Sequence, residues 1–203
     1  MLNSPAPTKG NLIATKKSYN LACLGFELLD RKRNILVREM MALIERAEEI
    51  QSKIDATYSK AFLTLKKAHI ALGVCEELAS SVPEETGLSL SFKSVMGVEI
   101  PIVGFYEHRN NSIPFGLYNS NSDLDKAYSC FREVSKLTAG LAEVETSVYI
   151  LANAIKKTQK RANALKNIMI PKFEAMIKSI SEALEEKERE EFSRLKVIKN
   201  QSK

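Results

Sequence analysis

The chain is short of everything that interrupts a helix. Eight Gly and six Pro stand among 203 residues, and most gather in the middle third: Gly73, Pro83, Gly87, Gly97, Pro101, Gly104, Pro114 and Gly116. Residues 26–72 contain neither, and residues 117–203 contain only Gly140 and Pro171. Both residue types are poorly tolerated inside helices. Their distribution therefore predicts two long helices flanking an irregular middle. Trp is absent and aromatic residues make up only 7% of the chain, which argues against an aromatic-rich globular core. Cys23, Cys75 and Cys130 are odd in number and far apart, with no C-x-x-C. That excludes a disulfide framework or a zinc motif and suits small, reduced core residues. No stretch approaches the roughly 20 apolar residues that span a bilayer. Residues 1–10 are polar and lack the apolar centre of a secretory signal, so a cytoplasmic location is expected.

The motifs of chemistry are missing as well. There is no G-x-x-x-x-G-K-[ST] and no G-x-G-x-x-G to cradle a phosphate. His69 and His108 stand apart, and neither has a second His or a Cys at ligand spacing. His69 falls on an apolar stripe and reads as a packed seam residue. The many Glu residues suit solvated helix faces with i,i+4 partners. No catalytic, cofactor-binding or metal-binding residue is expected, and no cofactor.

What is present is periodicity. Leu141, Val144, Val148, Leu151, Ile155, Thr158, Ala162, Leu165 and Met169 recur in steps of three and four. Such a pattern keeps one narrow seam on one side of an α-helix. A seam that narrow suits one long partner helix better than a broad core. In the N-terminal half, Leu12, Leu21, Leu24, Leu28 and Ile35 lead into Leu36, Met40, Leu43, Ala47, Ile50 and Ile54. The stripe then drifts by one residue to Tyr58, Phe62, Leu65, His69 and Leu72, an offset that marks a discontinuity in a coiled coil. In the C-terminal half the stripe shifts past Met169 to Phe173, Met176, Ile180 and Leu184, with Pro171 inside the shift. Pro171 removes a donor and its ring crowds the carbonyl of Asn167, so a bend is expected there, not a stop. Ser122 followed by Asp125 resembles a capping box at the start of the second long helix.

The middle changes period. Leu88, Leu90 and Phe92 alternate with polar residues, and Val98, Ile100 and Ile102 do so on the other side of Met96-Gly97. This predicts a short β-hairpin. Pro101 cannot donate to a ladder and belongs on an edge. A lone hairpin is marginal in water, so it must lean on the helices or on a partner. The expected fold is mainly α: a long antiparallel two-helix coiled coil with a β-hairpin insert. Its divisions are a leader over residues 1–10, a long helix over 11–82, the insert over 83–121, a second long helix over 122–199 and a tail over 200–203. Together they form one structural unit.

The net charge of +5 is unevenly placed. Residues 1–26 carry Lys9, Lys16 and Lys17 without an acid, and residues 192–203 carry Arg194, Lys196, Lys199 and Lys203 without one. In an antiparallel pair these basic ends lie side by side. Nucleic acid is a poor partner for them, because few aromatic residues interleave as stacking platforms. Periodicity and charge stop at an interaction or mechanical element, with a cytoplasmic coiled-coil scaffold as one reading.

Particular residues go further. Pro7-Thr8-Lys9 and the run from Leu28 to Leu36, LLDRKRNIL, resemble the start of the D subunit of V-type and archaeal-type rotary ATPases. Arg161-Ala162-Asn163-Ala164-Leu165 followed by Ile170-Pro171 is similar to that family, as is the ending EREEFSRLKVIK over residues 188–199. Val95-Met96-Gly97-Val98-Glu99-Ile100-Pro101 resembles its hairpin. The pieces occur in order between Pro7 and Lys199. Asn34 and Lys166 depart from the family's usual Asp and Glu, which puts particular helix–helix ion pairs in doubt.

The resemblance implies a central rotor shaft without a catalytic site. The joined helix ends would enter a headpiece of catalytic A and B subunits. The opposite part would bind the small F subunit of the stalk and rest on the C subunit above a membrane ring. Membrane contact would be indirect. Lys9, Lys16, Lys17, Arg194, Lys196 and Lys199 are the candidate headpiece contacts. Met96, Gly97, Val98, Ile100 and Pro101 are the candidate contacts at the stalk base.

Overall fold

The computed structural model describes residues 6–82, 87–105 and 120–201. The expectations for Pro83, His108, the loop over 108–119 and Lys203 lie outside the described residues. The elements in order are α1 (Lys9–Leu72), α2 (Glu76–Ser80), β1 (Leu88–Val95), β2 (Val98–Phe105), α3 (Ser122–Ala164), a π-helical turn (Leu165–Met169) and α4 (Ile170–Gln201). Two compact units result, one built from residues 1–34 and 155–203, the other from residues 35–154.

In the first unit, Thr8 caps α1: its Oγ1 accepts the Asn11 N–H at 3.2 Å and its carbonyl accepts the Leu12 N–H. That satisfies donors that a helix start otherwise leaves open. The two helical segments run antiparallel, since partners of α1 fall in number as α1 advances. Lys9 pairs with Glu188, Tyr19 bonds Glu174, and Arg33 bonds Gln159. The seam is made mostly of small residues, with Ile180 the one large buried side chain of this unit among the described residues. Thr15, Ala22 and Ala162 are buried, with Thr158 and Ile180. Leu21, Leu24, Leu28 and Ile35, expected on the packed stripe, face outward instead. Helices that approach closely leave room on the contact line only for small side chains, and larger ones are displaced to the flanks.

Pro171 neither stops the helix nor leaves it regular. The Ile170 N–H bonds back to the Leu165 carbonyl, five residues away, in the turn that precedes the proline. A π turn holds one residue more than an α turn. It gives the physical basis for the stripe shift read past Met169.

In the second unit, Leu36, Val144 and Leu151 are fully buried. Ser147, and not Val148, occupies the centre of the seam beside Val144. After Ile54 the buried line continues through Ala61 and Ala68, so the predicted drift to Tyr58, Phe62 and His69 does not occur. Tyr58 and Phe62 lie on the flank, stacked on each other with centroids 5.8 Å apart, and both meet the Phe131 ring edge-on. His69 is exposed in the last turn of α1. That helix ends where Gly73, at φ +78°, donates its N–H to the His69 carbonyl at 2.9 Å. This is the left-handed C-terminal cap that glycine adopts without a Cβ penalty. Behind it Ala68, Cys75 and Leu124 form a small core with Leu65, Leu78, Val82 and Tyr128. Cys75 and Cys130 are buried and Cys23 is half-buried, all three as free thiols. At the start of α3 the Asn121 carbonyl takes the N–H groups of Leu124 and Asp125, so Asn121 holds the cap position, one residue before the expected Ser122, and Ser122 is the first helical residue.

β1 and β2 pair antiparallel, from Val95↔Val98 beside the turn to Leu88↔Phe105 at the open end. The hairpin therefore turns on Met96 and Gly97 alone. Both have positive φ, at 51° and 75°, the geometry of a type I′ turn. Counting back from the turn, Phe92↔Pro101 is a pair whose backbone groups face outward. Pro101 thus costs the ladder nothing, and the edge placement read from its missing N–H is correct.

Candidate partner-binding surfaces

The basic residues of the first unit do not form one free patch. Lys9 Nζ lies 2.9 Å from Glu188 Oε1. The hydrogen bond to Glu188, and then its charge, raise the Lys9 pKa above the usual value. Arg194 reaches Glu190 of its own helix at 3.7 Å. Both pairs are well exposed, so water and salt screen them. Lys16, Lys17, Lys196 and Lys199 are exposed. Lys9 was expected from its acid-free neighbourhood to await a partner's carboxylate. The fold supplies one from the acidic stretch of α4, which lies far off in sequence but opposite in the helix pair.

More telling is what surrounds these charges. Leu21, Leu24 and Leu28 on α1, and Phe192, Leu195 and Ile198 on α4, are all more than half exposed. They form two separate clusters, since Leu21–Leu28 lie level with the stretch between Leu165 and Glu174 and Phe192–Ile198 lie beyond Glu188, and exposed apolar clusters are candidate contact surfaces. Sequence reasoning placed the three leucines in the seam. The signal that separates them was present: Thr15, Ala22 and Gly25 run at the same spacing on an adjacent face. Two stripes of equal period compete there, and side-chain size favours the wrong one.

A polar layer holds the helices of this unit in register. Arg33 donates through Nη1 to Gln159 Oε1 at 2.8 Å and meets Asp30 Oδ1 through Nη2 at 2.7 Å. Asn34 Oδ1 accepts from the same guanidinium, and its amide bonds Asp30. Gln159 passes a further bond to Asn163. Asn34 can both accept and donate here, so the departure from Asp changes the partners without emptying the layer. Lys166, the other departure, sits with Nζ 5.6 Å from the Phe26 ring centroid, a cation–π contact in place of an ion pair.

In the second unit the hairpin leans on α3. The Val103 N–H, which faces away from β1, donates to Glu143 Oε2 at 2.8 Å. Lys136 Nζ lies 5.7 Å from the centre of the Phe105 ring. These contacts anchor β2 and bury Pro101, while Val98 and Ile100 are half-buried. Met96 at the tip stays 45% exposed, and Leu88, Leu90 and Phe92 on β1 more so. The hairpin is thus fixed along one strand and presents apolar side chains along the other. Of the five hairpin residues singled out, Met96 and Gly97 at the turn are exposed, and Pro101 serves the anchor.

Among the described residues no helix is long and apolar enough to cross a membrane, and no three His, Cys, Asp or Glu residues are grouped to hold a metal. Comparison with known proteins gives one family. Its sequence profile, that of the ATP synthase D subunit, matches residues 11–200. The chain is 46% identical over 198 residues to the V-type ATP synthase D subunit of Thermotoga neapolitana, covering 97% of each. It is 33% identical to the A-type ATP synthase D subunits of Methanosphaera stadtmanae and Pyrococcus horikoshii, in each case over 95% of this chain and 92% of the relative.

Proposed function

The chain belongs to the D-subunit family of V-type and A-type ATP synthases, and we propose on that basis that it is the central shaft of such a machine. It turns within a catalytic headpiece of A and B subunits, binds the small F subunit of the stalk, and transmits torque through the C subunit to a membrane ion-translocating ring. Nucleotide chemistry belongs to the headpiece, and this chain has no catalytic site of its own. It resides on the cytoplasmic side and meets the membrane only through the complex.

The observation that carries this reading is the division of labour in the first unit. Small residues close the helix pair, and the large apolar residues Leu21, Leu24, Leu28, Phe192, Leu195 and Ile198 face outward beside exposed lysines. A surface that must slide past successive subunits profits from nondirectional apolar contact. Lys16, Lys17 and Lys196 add short-lived contacts to acidic loops of the sleeve. The anchored hairpin, with Met96 at its tip, contacts a stalk-base partner and influences turnover.

The test is co-expression with the A, B and F subunits of the same source, followed by gel filtration and ATPase assay with and without this chain. One copy co-eluting per headpiece, with altered ATPase activity, is expected. A chain that elutes alone and leaves the headpiece unaffected is a scaffold protein instead. Loss of function on shortening the helix ends, but not on neutralising the lysines, would remove the charge contacts. A hairpin deletion that changes neither rate nor coupling would remove the role of Met96.

A further inference from the structure

Local weaknesses in both helices of the first unit meet at one level. In the C-terminal helix, the π turn Leu165–Met169 is followed at once by Pro171. Pro171 has no N–H, so a carbonyl, that of Lys166 in the π register or Asn167 in the α register, faces a ring where a donor should be. No residue of the turn is buried, and Ile168 is 63% exposed. From Ala162 to Ile180 this helix buries no intervening residue. On α1, the residue facing the turn is Gly25, whose missing Cβ would lie 3.6 Å from Leu165 Cδ1. Glycine within a helix raises the entropy of the unfolded turn and weakens it.

Both sides of this level are pinned. Toward the middle of the chain, Arg33, Asp30, Asn34, Gln159 and Asn163 form the polar layer. Toward the chain ends, the Tyr19 hydroxyl donates to Glu174 Oε1 at 3.0 Å. Between these two directional clamps the level holds the Lys166–Phe26 cation–π contact, which is less directional than the hydrogen bonds of either clamp, so the pair is softer there.

We propose that Gly25 and the segment from Leu165 to Pro171 form a compliant joint, the place where this unit yields to twist or bending while its clamps hold register. A π turn can pass its extra residue along a helix by exchanging i−5 for i−4 bonds, which changes local twist without breaking the chain of hydrogen bonds. The joint rests on this chain's geometry alone. Its use under torque rests on the shaft reading.

Hydrogen–deuterium exchange of the full chain, without any other subunit, tests it. Amides of residues 166–172 and 23–28 are expected to exchange at least about tenfold faster than those of residues 156–163 and 30–36. Pro171→Ala, which restores the donor, should slow exchange across 166–172 by about tenfold and raise the melting temperature. Gly25→Ala should do the same for 23–28, because a methyl there makes ordinary contact. Uniform protection across these segments, or exchange indifferent to both substitutions, overturns the joint whether or not the chain assembles with an ATPase. If the chain assembles and the joint is present, Pro171→Ala should change ATP-driven coupling while leaving co-elution intact. Failure to co-elute in the unsubstituted chain would refute the shaft and not the joint.

Discussion

Arg33 and Gln159 stand 126 residues apart in the chain, and a 2.8 Å hydrogen bond joins Nη1 of one to Oε1 of the other. The contact sets which turn of the N-terminal helix lies beside which turn of the C-terminal one. Apolar seams slide easily, because one Leu or Ala accepts another in its place. A planar guanidinium bound at once to Gln159, Asp30 and Asn34 accepts only one register.

Arg33→Ala is accordingly expected to lower stability by about 1–2 kcal/mol, since the half-buried acceptors it leaves lose a charged donor. Arg33→Lys should recover little, because an ammonium cannot span the fork. Urea denaturation of the three proteins checks this, and a Lys variant as stable as the parent would refute it.

The burial of Ala61 and Ala68, with Phe62 left on the flank, makes a prediction opposite to the one size alone suggests. Ala61→Leu should destabilise by about 1–3 kcal/mol through overpacking where the helices approach. Phe62→Ala should cost less, because half of the ring already faces solvent. The same urea series orders the two, and the reverse order would return Phe62 to the seam.

At the hairpin tip Met96 holds φ 51°, a region where a Cβ is unfavourable and where Asn and Gly are at ease. Met96→Asn is expected to slow amide exchange in β1 and β2, and Gly97→Ala to accelerate it. Should the apolar tip serve a partner, Met96→Asn would also weaken assembly while the free chain gains order.

Tyr19 gives a pH signature. Its hydrogen bond to Glu174, with a smaller contribution from Cys23, pushes its pKa from 10.0 up to about 12. The folded state then keeps a proton that the unfolded state releases. Stability from this bond is complete below pH 10 and fades between about pH 10 and 12. Lys9, raised by Glu188, acts in the same direction at the alkaline end. Thermal melts across that range should fall less steeply for Tyr19→Phe, and an identical slope would show that solvent screens the bond away.

Much of the architecture was legible beforehand because it depends on local rules. Long runs poor in Gly and Pro became α1, α3 and α4, and alternation around Met96-Gly97 became β1 and β2. Pro171 announced an irregularity, though not its form. The fine assignment of faces was less legible. Leu21, Leu24 and Leu28 share their period with Thr15, Ala22 and Gly25, and Phe62 and His69 share theirs with Ala61 and Ala68. Periodicity locates a stripe but does not say which of two neighbouring stripes a close partner helix will choose.

The sequence by itself determined the family, the helical hairpin plan and the β-turn, because helix breakers, period and turn residues act within a few positions of one another. Only the tertiary structure decided that small residues close the seam, that Lys9 is answered by Glu188, that Glu143 receives the hairpin, and that Gly25 lies against the π turn. Each of those depends on the distance between two segments remote in sequence. Backbone separation selects side chains by volume, and charges find partners by proximity, and neither quantity is written in local order.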